Sequence, residues 1–365
     1  MSYNLLVIPG DGIGVEVMDE ALKVLEAVER RFRHEFDLTK DIAGGAAIDK
    51  HGTALHPDTL AKAKKSDAVL FGAVGGPKWD DPRAKVRPEQ GLLALRRGLG
   101  LFANLRPVRV HPLLIDASPL KASVLQGTDM VIIRELTGGL YFGKPQRRWE
   151  TARGRQAVDT LRYSEKEVAR ILRVGFELAR SRRKKLTSVD KQNILETSRM
   201  WREIALELSK EYPDVHLDHL LIDSATMHLI SRPADFDVIV TENTFGDILT
   251  DEAAMLVGSM GMLPSASLGK RRPGGTGQGL YEPIHGTAPD IAGQGKANPL
   301  AMILSTALML RLSCNLPAEA EAIEQAVDRV LGEGFRTPDI AREGTRTIAT
   351  GEMGDRVAEA VGSGQ

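Results

Sequence analysis

Cysteine, a surplus of charge of one sign, and long apolar runs are all scarce in this 365-residue sequence. There is one cysteine, Cys314, so no disulfide can form within the chain, which is compatible with a reducing compartment. It lies in LRLSCNL with no histidine near it in sequence and reads as a buried structural thiol rather than a nucleophile. Lysine and arginine number 48 against 49 acidic residues, a net charge of −1, so there is no global electrostatic footprint for nucleic acid or an anionic membrane. The longest apolar segment, Pro299 to Leu310, is interrupted by Ser305 and Thr306 and stops at Arg311. That is too short for a bilayer and predicts a core or interface helix. No basic stretch with a cleavable apolar region precedes NLLVIPG, so no signal peptide is expected. The expectation is a cytoplasmic protein that engages neither nucleic acid nor membrane.

What is present points to an α/β protein. The chain is long for a single core, which favours two lobes. Short apolar runs (NLLVIPG, DAVLFGAVGG, DMVIIRE, LTSVDK, FDVIVTEN) alternate with helical spacing in VEVMDEALKVLEAVERRF and LETSRMWREIALELSKEY. This alternation predicts a largely parallel sheet, whose ligands collect beyond the carboxyl ends of the strands. Arg134, Lys191 and Asp247 each follow directly on a strand-like run. KRRPGGTGQG, residues 270–279, reads as a surface loop or insertion, and the polar, basic stretch 143–164 as an exposed arm. RSRRKK, residues 180–185, reads as the solvated end of a helix, with an anion site as the alternative.

Individually the chemical signals are ambiguous. IPGDGIGVEV follows a strand and opens a helix, but Gly10, Gly12 and Gly14 are spaced G-x-G-x-G, which is not the dinucleotide fingerprint. A tight turn and a ligand loop both fit it. FGDILTDEAA sets Asp247 and Asp251 four residues apart, a like-charge pair that destabilises a helix by roughly 0.2–0.5 kcal/mol. With Asp223, where LLIDSATMHLI turns helical, they could supply oxygen ligands to Mg²⁺ or Mn²⁺. A helix cap at Asp247 and a solvated Asp251 are the plainer reading. Arg96, Arg106 and Arg134 could bind a substrate with two carboxylates through bidentate forks, or be ordinary surface arginines. Tyr141 fits a general acid or a packing residue, and Lys191 fits a base or a solvated lysine.

In combination they are specific. IPGDGIGVEV, PEQGLLALR, LFANLRP, RELTGGLYFG, SVDKQNILE, TENTFGDILTDEAA and HGTAPDIAG, in this order and over nearly the whole chain, resemble the metal-dependent decarboxylating dehydrogenases of the isocitrate/isopropylmalate dehydrogenase family. The resemblance is strongest to members acting on 3-isopropylmalate. It implies NAD-dependent oxidative decarboxylation of (2R,3S)-3-isopropylmalate in leucine biosynthesis, with a divalent metal required. The sister acids homoisocitrate, isocitrate and tartrate, and a non-catalytic regulatory subunit, stand as alternatives.

The roles implied at matching positions are as follows. Asp223, Asp247 and Asp251 would hold Mg²⁺ or Mn²⁺, and Arg96, Arg106 and Arg134 would grip the malate carboxylates. Lys191 would take the hydroxyl proton and Tyr141 would protonate the enol. Glu89, Leu92, Leu93 and Ile194 match the positions that select the isopropyl group. His285, Gly286, Ala288, Asp290, Ile291 and Asn298, with Ile13, would bind NAD. Asp290 would meet the ribose hydroxyls and disfavour a 2′-phosphate. The implied fold is two-lobed with a mixed, largely parallel central sheet and without a Rossmann fingerprint. Residues 1–101 and 258–365 would form the cofactor lobe, and 102–257 the substrate, metal and dimerisation lobe. The resemblance further implies a homodimer in which Lys191 and Asp223 complete the partner's active site.

Overall fold

The computed structural model describes residues 2–271 and 277–363. The chain divides into two compact units. The first comprises Met1–Leu101, His111–Pro119 and Val257–Gln365, and the second Phe102–Val110 and Leu120–Leu256.

The first unit opens with β1 (Ser2–Gly10), α1 (Gly14–Phe32), β2 (Glu35–Lys40), α2 (Gly45–His51), α3 (Pro57–Lys65), β3 (Ala68–Ala73) and α4 (Glu89–Gly98). The second then forms β4 (Ala103–Arg109), α5 (Ala122–Leu125), β5 (Asp129–Glu135), β6 (Arg147–Thr151), β7 (Gly154–Val158) and α6 (Glu165–Ser181). It continues with β8 (Lys185–Asp190), α7 (Glu196–Ser209), β9 (His216–Leu221), α8 (Ile222–Ser231), β10 (Val238–Thr241) and α9 (Asn243–Val257). The chain returns to the first unit as β11 (Pro264–Arg271), β12 (Gly277–Pro283), α10 (Leu300–Leu312) and α11 (Pro317–Gly332). It ends with β13 (Phe335–Arg336), β14 (Arg346–Thr347) and α12 (Thr350–Gly362).

Within the first unit the strand order is β2-β1-β3-β12-β11, and within the second it is β4-β5-β10-β8-β9. In each, one edge pairing is antiparallel (β11 with β12, β4 with β5) and the others are parallel. The sheet is therefore mixed and largely parallel, as the alternating pattern predicts. The parallel strands have the composition of strands covered on both faces: β3 (AVLFGA) and β10 (VIVT) are buried at every residue. Leu6, Ile8, Val69, Phe71, Leu95 and Leu280 centre one core of the first unit. Ile133, Leu172, Phe176, Leu186, Trp201 and Val240 centre that of the second. In α1 the apolar positions Val17, Ala21, Val24, Leu25 and Val28 recur at helical spacing and are the buried ones. The apolar run that ends at Arg311 forms α10, nearly all of it buried in the first unit. No helix among the described residues is long and apolar enough to cross a membrane.

Two expectations about organisation need amendment. Residues 111–119, expected in the second lobe, sit with the first unit. Arg342 donates to the carbonyls of Asp116 and Ala117, and the buried Arg336 to that of Leu113, so two arginines hold this excursion in place. The boundary placed after residue 257 falls one residue earlier. The arm, by contrast, is an exposed antiparallel hairpin of β6 and β7. The tip of the 270–279 loop, residues 272–276, lies outside the described residues, and its flanks are the hairpin strands β11 and β12. In RSRRKK, Arg180 pairs with Asp214, Arg182 with Asp129 and Asp237, Arg183 with Asp237, and Lys185 with Asp218. That is the solvated, carboxylate-paired helix end rather than an anion site.

Candidate active site

In the second unit four adjacent parallel strands, β5, β10, β8 and β9, end in Arg134, the turn into α9, Lys191 and the turn into α8 respectively. Parallel alignment thus carries the predicted residues to one end of the sheet. Arg134, 4% exposed, is the centre of the densest cluster. Its Nη1 donates to Asp247 Oδ1, while Nε and Nη2 both donate to Asn243 Oδ1, at 3.0 and 2.8 Å. α9 can pass this close only because Gly246 has no side chain; a Cβ there would lie 2.6 Å from Arg134 Cγ.

Tyr141 donates its hydroxyl to Asp247 Oδ2 at 2.7 Å, and its ring stands 5.6 Å from the Arg134 guanidinium. Burial, reinforced by the Asp247 hydrogen bond and charge, pushes the phenol up to about 12. It therefore holds its proton at neutral pH. Arg106 leans on the same helix, donating to Asn104 and Thr250 and lying 3.6 Å from Asp251 and 4.0 Å from Asp247. Partial burial raises the Asp251 carboxyl, which Asp247 raises further and Arg106 opposes. Two carboxylates one helical turn apart are hard oxygen donors suited to a divalent cation.

Lys191 and Asp223 form a separate pair. Lys191 Nζ donates to Asp223 Oδ1 at 2.6 Å, and this bond holds the Asp223 carboxyl below its ordinary range. Among the described residues no three His, Cys, Asp or Glu side chains are grouped to hold one metal. β9 stands two places from β10, so the turns into α8 and α9 leave the sheet roughly 9–10 Å apart. Ile194, in the turn after Lys191, is 65% exposed, which is unusual for an isoleucine.

In the first unit Arg96 of α4 is buried and donates Nη2 to Glu282 Oε1 at 2.6 Å. Its Nε is buried without a partner, an unmet donor of the sort a ligand carboxylate satisfies. Leu92 packs partly against the core, Leu93 is half-buried, and Glu89 at the start of α4 is exposed. Glu89 lines a cleft of 370 Å³ with Gly75, Gly76, Gly286 and Thr287. The loop after β12 is strained there: Ala288 has φ +38°, where a non-glycine residue rarely sits. A Cβ on Gly286 would meet nothing. His285 is half-buried with its Nε2 shielded and unpartnered, and burial lowers its pKa so that the ring is neutral. Open backbone, a strained loop and an unmet ring nitrogen fit a dinucleotide lying along this segment. Asp290 is exposed and Ile291 half-buried. Ile13 is buried, with its peptide N–H donating to Thr287 O at 3.0 Å, so it underlies the loop. Asn298 is buried with both ends of its amide occupied: Oδ1 caps Leu300 N and Nδ2 donates to Asp339.

The family model "Isocitrate/isopropylmalate dehydrogenase" matches residues 4–357. The chain belongs to this family. Two curated relatives bear the name 3-isopropylmalate dehydrogenase. The one from Dehalococcoides mccartyi is 60% identical over 364 residues, covering 99% of this chain and 100% of that protein. The one from Pseudomonas putida is 58% identical, covering 99% of each. Among solved structures, isocitrate dehydrogenase from Methylococcus capsulatus superposes with a TM-score of 0.86 at 35% identity, over 99% of this chain and 100% of that one.

Set against family membership, the structure gathers Arg106, Arg134, Tyr141, Asp247 and Asp251 in one cluster and Lys191 with Asp223 in another. Residues absent from the sequence-based set also hold these groups. Asn243 accepts twice from Arg134, Glu282 accepts from Arg96, and Asp11 and Asp339 each take several hydrogen bonds. A signal existed for Glu282, an acidic residue closing the apolar run GLYEP just before HGTAPD, and for Asn243, which opens the helix that carries the aspartates.

Proposed function

We propose that this protein oxidises and decarboxylates 3-isopropylmalate with NAD, yielding 4-methyl-2-oxopentanoate, CO₂ and NADH, as a step of leucine biosynthesis. The observation that carries the chemistry is the Arg134–Asp247–Tyr141 cluster, with Arg106 and Asp251 beside it. The named relatives, matched over essentially their whole length, support the choice of acid.

We assign the substrate carboxylates to Arg96, Arg106 and Arg134. All three guanidiniums are buried, where charge-assisted hydrogen bonds are strong and leaving them unmet is costly. Asp223, Asp247 and Asp251 are assigned to Mg²⁺ or Mn²⁺, which when bound would stabilise negative charge on the substrate's hydroxyl oxygen, while NAD accepts the hydride. Lys191 takes the hydroxyl proton, and Tyr141 donates one to the carbon that loses CO₂. The overall reaction releases no net proton, so one base and one acid suffice. A tyrosine that stays protonated to high pH fits the donor's part. His285, Gly286, Ala288, Asp290 and Ile291 are assigned to NAD, with Ile13 and Asn298 supporting the loop rather than facing it. Leu92, Leu93, Glu89 and Ile194 are assigned to the isopropyl group.

A homodimer with shared sites is part of this reading. Among the described residues of one chain Asp223 is not grouped with Asp247 and Asp251, and Met227 and Ile230 on α8 and Ile248 on α9 are exposed. Apolar helices left bare in this way need a partner surface. The lone buried thiol suits a reducing, cytoplasmic setting.

The test is NADH formation from 3-isopropylmalate, isocitrate, homoisocitrate and tartrate, each with NAD or NADP and with Mg²⁺ or EDTA. Metal-dependent turnover favouring 3-isopropylmalate and NAD is expected. Preference for a sister acid would overturn the reading of Glu89, Leu92 and Leu93. A folded protein inactive on every acid would favour a regulatory subunit.

A further inference from the structure

Asp11 sits between two glycines in the turn from β1 to α1 and is 7% exposed. No lysine, arginine or histidine pairs with it among the described residues. Its carboxylate is instead met by three peptide N–H groups: Gly45 N at 2.7 Å and Gly75 N at 3.1 Å on Oδ2, and Ala46 N at 2.9 Å on Oδ1. A buried carboxylate is tolerated only when donors replace its water, and these three do so.

Two of the three donors, Gly45 and Ala46, open α2, which follows β2, and the third, Gly75, lies in the loop after β3, while Asp11 itself follows β1. The adjacent parallel strands β2, β1 and β3 therefore have the segments beyond their carboxyl ends tied to one side chain. The turn is anchored as well, since Asp11 N donates to Ala73 O at 2.6 Å. Its other side carries the loop after β12: Ile13 N bonds to Thr287 O, and a Cβ on Gly12 would lie 2.3 Å from that oxygen. Gly75 and Thr287 both line the 370 Å³ cleft. Gly75 holds φ at +132° and Gly76 at +143°, conformations that glycine reaches freely among several others, and the Asp11 hydrogen bond selects one of them at Gly75.

We propose that Asp11 is a positioning residue for the dinucleotide: its carboxylate sets the Gly75 lip against the Thr287 loop, and so fixes the cleft for NAD. The inference rests on the reading of this loop as the NAD site. Its side chain lines neither wall and touches no reacting atom, so its action is through the two backbones it holds.

Asp11→Asn keeps the shape but turns an amide N–H toward peptide donors whichever oxygen it replaces. The experiment titrates NADH into the full-length protein by fluorescence, then measures KM for NAD and for 3-isopropylmalate. Expected are an NADH dissociation constant and a KM for NAD each raised about tenfold, with the KM for the acid within about twofold and kcat within about threefold. A purely structural role would lower Tm and the active fraction while leaving those constants unchanged, and that result overturns the proposal. So would an equal rise in both KM values. If D11N does not fold, Gly75→Ala displaces the same lip with Asp11 intact; the same selective rise is expected, and unchanged constants overturn the proposal. A parent protein that fails to bind NADH defeats the NAD reading itself, whereas a parent that binds beside an unaltered D11N defeats only the role of Asp11.

Discussion

At the scale of residues, Tyr141 is defined by what it touches. It shares Asp247 with Arg134, and burial with that hydrogen bond keeps its proton in place well above neutral pH. Tyr141→Phe removes the donor but keeps the ring over Arg134. The expected result is a kcat lower by about 100-fold or more, with KM for the acid changed by less than about threefold. Steady-state kinetics check it, and an unchanged kcat would remove Tyr141 from the proton path. Arg134 and Lys191 were legible because each closes an apolar run, whereas Asp247, read as following a strand directly, stands a turn into α9. Their supports were not. Glu282 lies 186 positions from Arg96, and Asp11 is bonded to backbone that leaves no trace in side-chain pattern. Asn298, placed in the cofactor set by its motif position, also has an amide that caps a helix and donates to Asp339, which its sequence neighbours do not reveal.

At the scale of elements, α9 begins under a buried acid. Glu242 accepts from Phe245 N at 2.7 Å and from the Tyr163 hydroxyl at 3.3 Å. Burial raises its carboxyl pKa even though the backbone hydrogen bonds from Phe245 and Thr244 pull it down. A carboxyl raised by folding binds its proton more tightly in the native state. Stability is therefore greatest below its unfolded pKa and falls as pH rises through the folded one. Glu242→Gln removes that loss. Melting temperatures measured from pH 4.5 to 8 are expected to decline less with pH in the variant, and parallel profiles would show that Glu242 does not titrate in that interval. Strand and helix types were readable because their periods differ and few residues break them. The placement of residues 111–119 was not, because it depends on Arg336 and Arg342, more than 200 positions away.

At the scale of the whole molecule, the proposed dimer predicts complementation. Lys191→Ala and Asp247→Asn should each be inactive alone. Unfolded together and refolded, half the dimers would be mixed, each with one intact site, so about one quarter of parental activity is expected. No recovery, with mixed dimers demonstrated by mass, would place Lys191 and Asp247 in the same protomer's site. The split cation set was implied by family resemblance rather than by spacing, since four-residue spacing relates Asp251 to Asp247 but says nothing of Asp223.

The discontinuity of the first unit also bears on synthesis. β3 is a central strand whose neighbour on one side is β12, some two hundred residues further along the chain. The second unit lies wholly within that interval. At about 5–20 residues per second, the ribosome leaves β3 bare on that edge for roughly 10–40 seconds. The second unit is complete in sequence before the first can close. During translation the amino-terminal third therefore waits as an apolar, half-built sheet. That interval is when a chaperone has most to hold, and when slowing the ribosome would do the most harm.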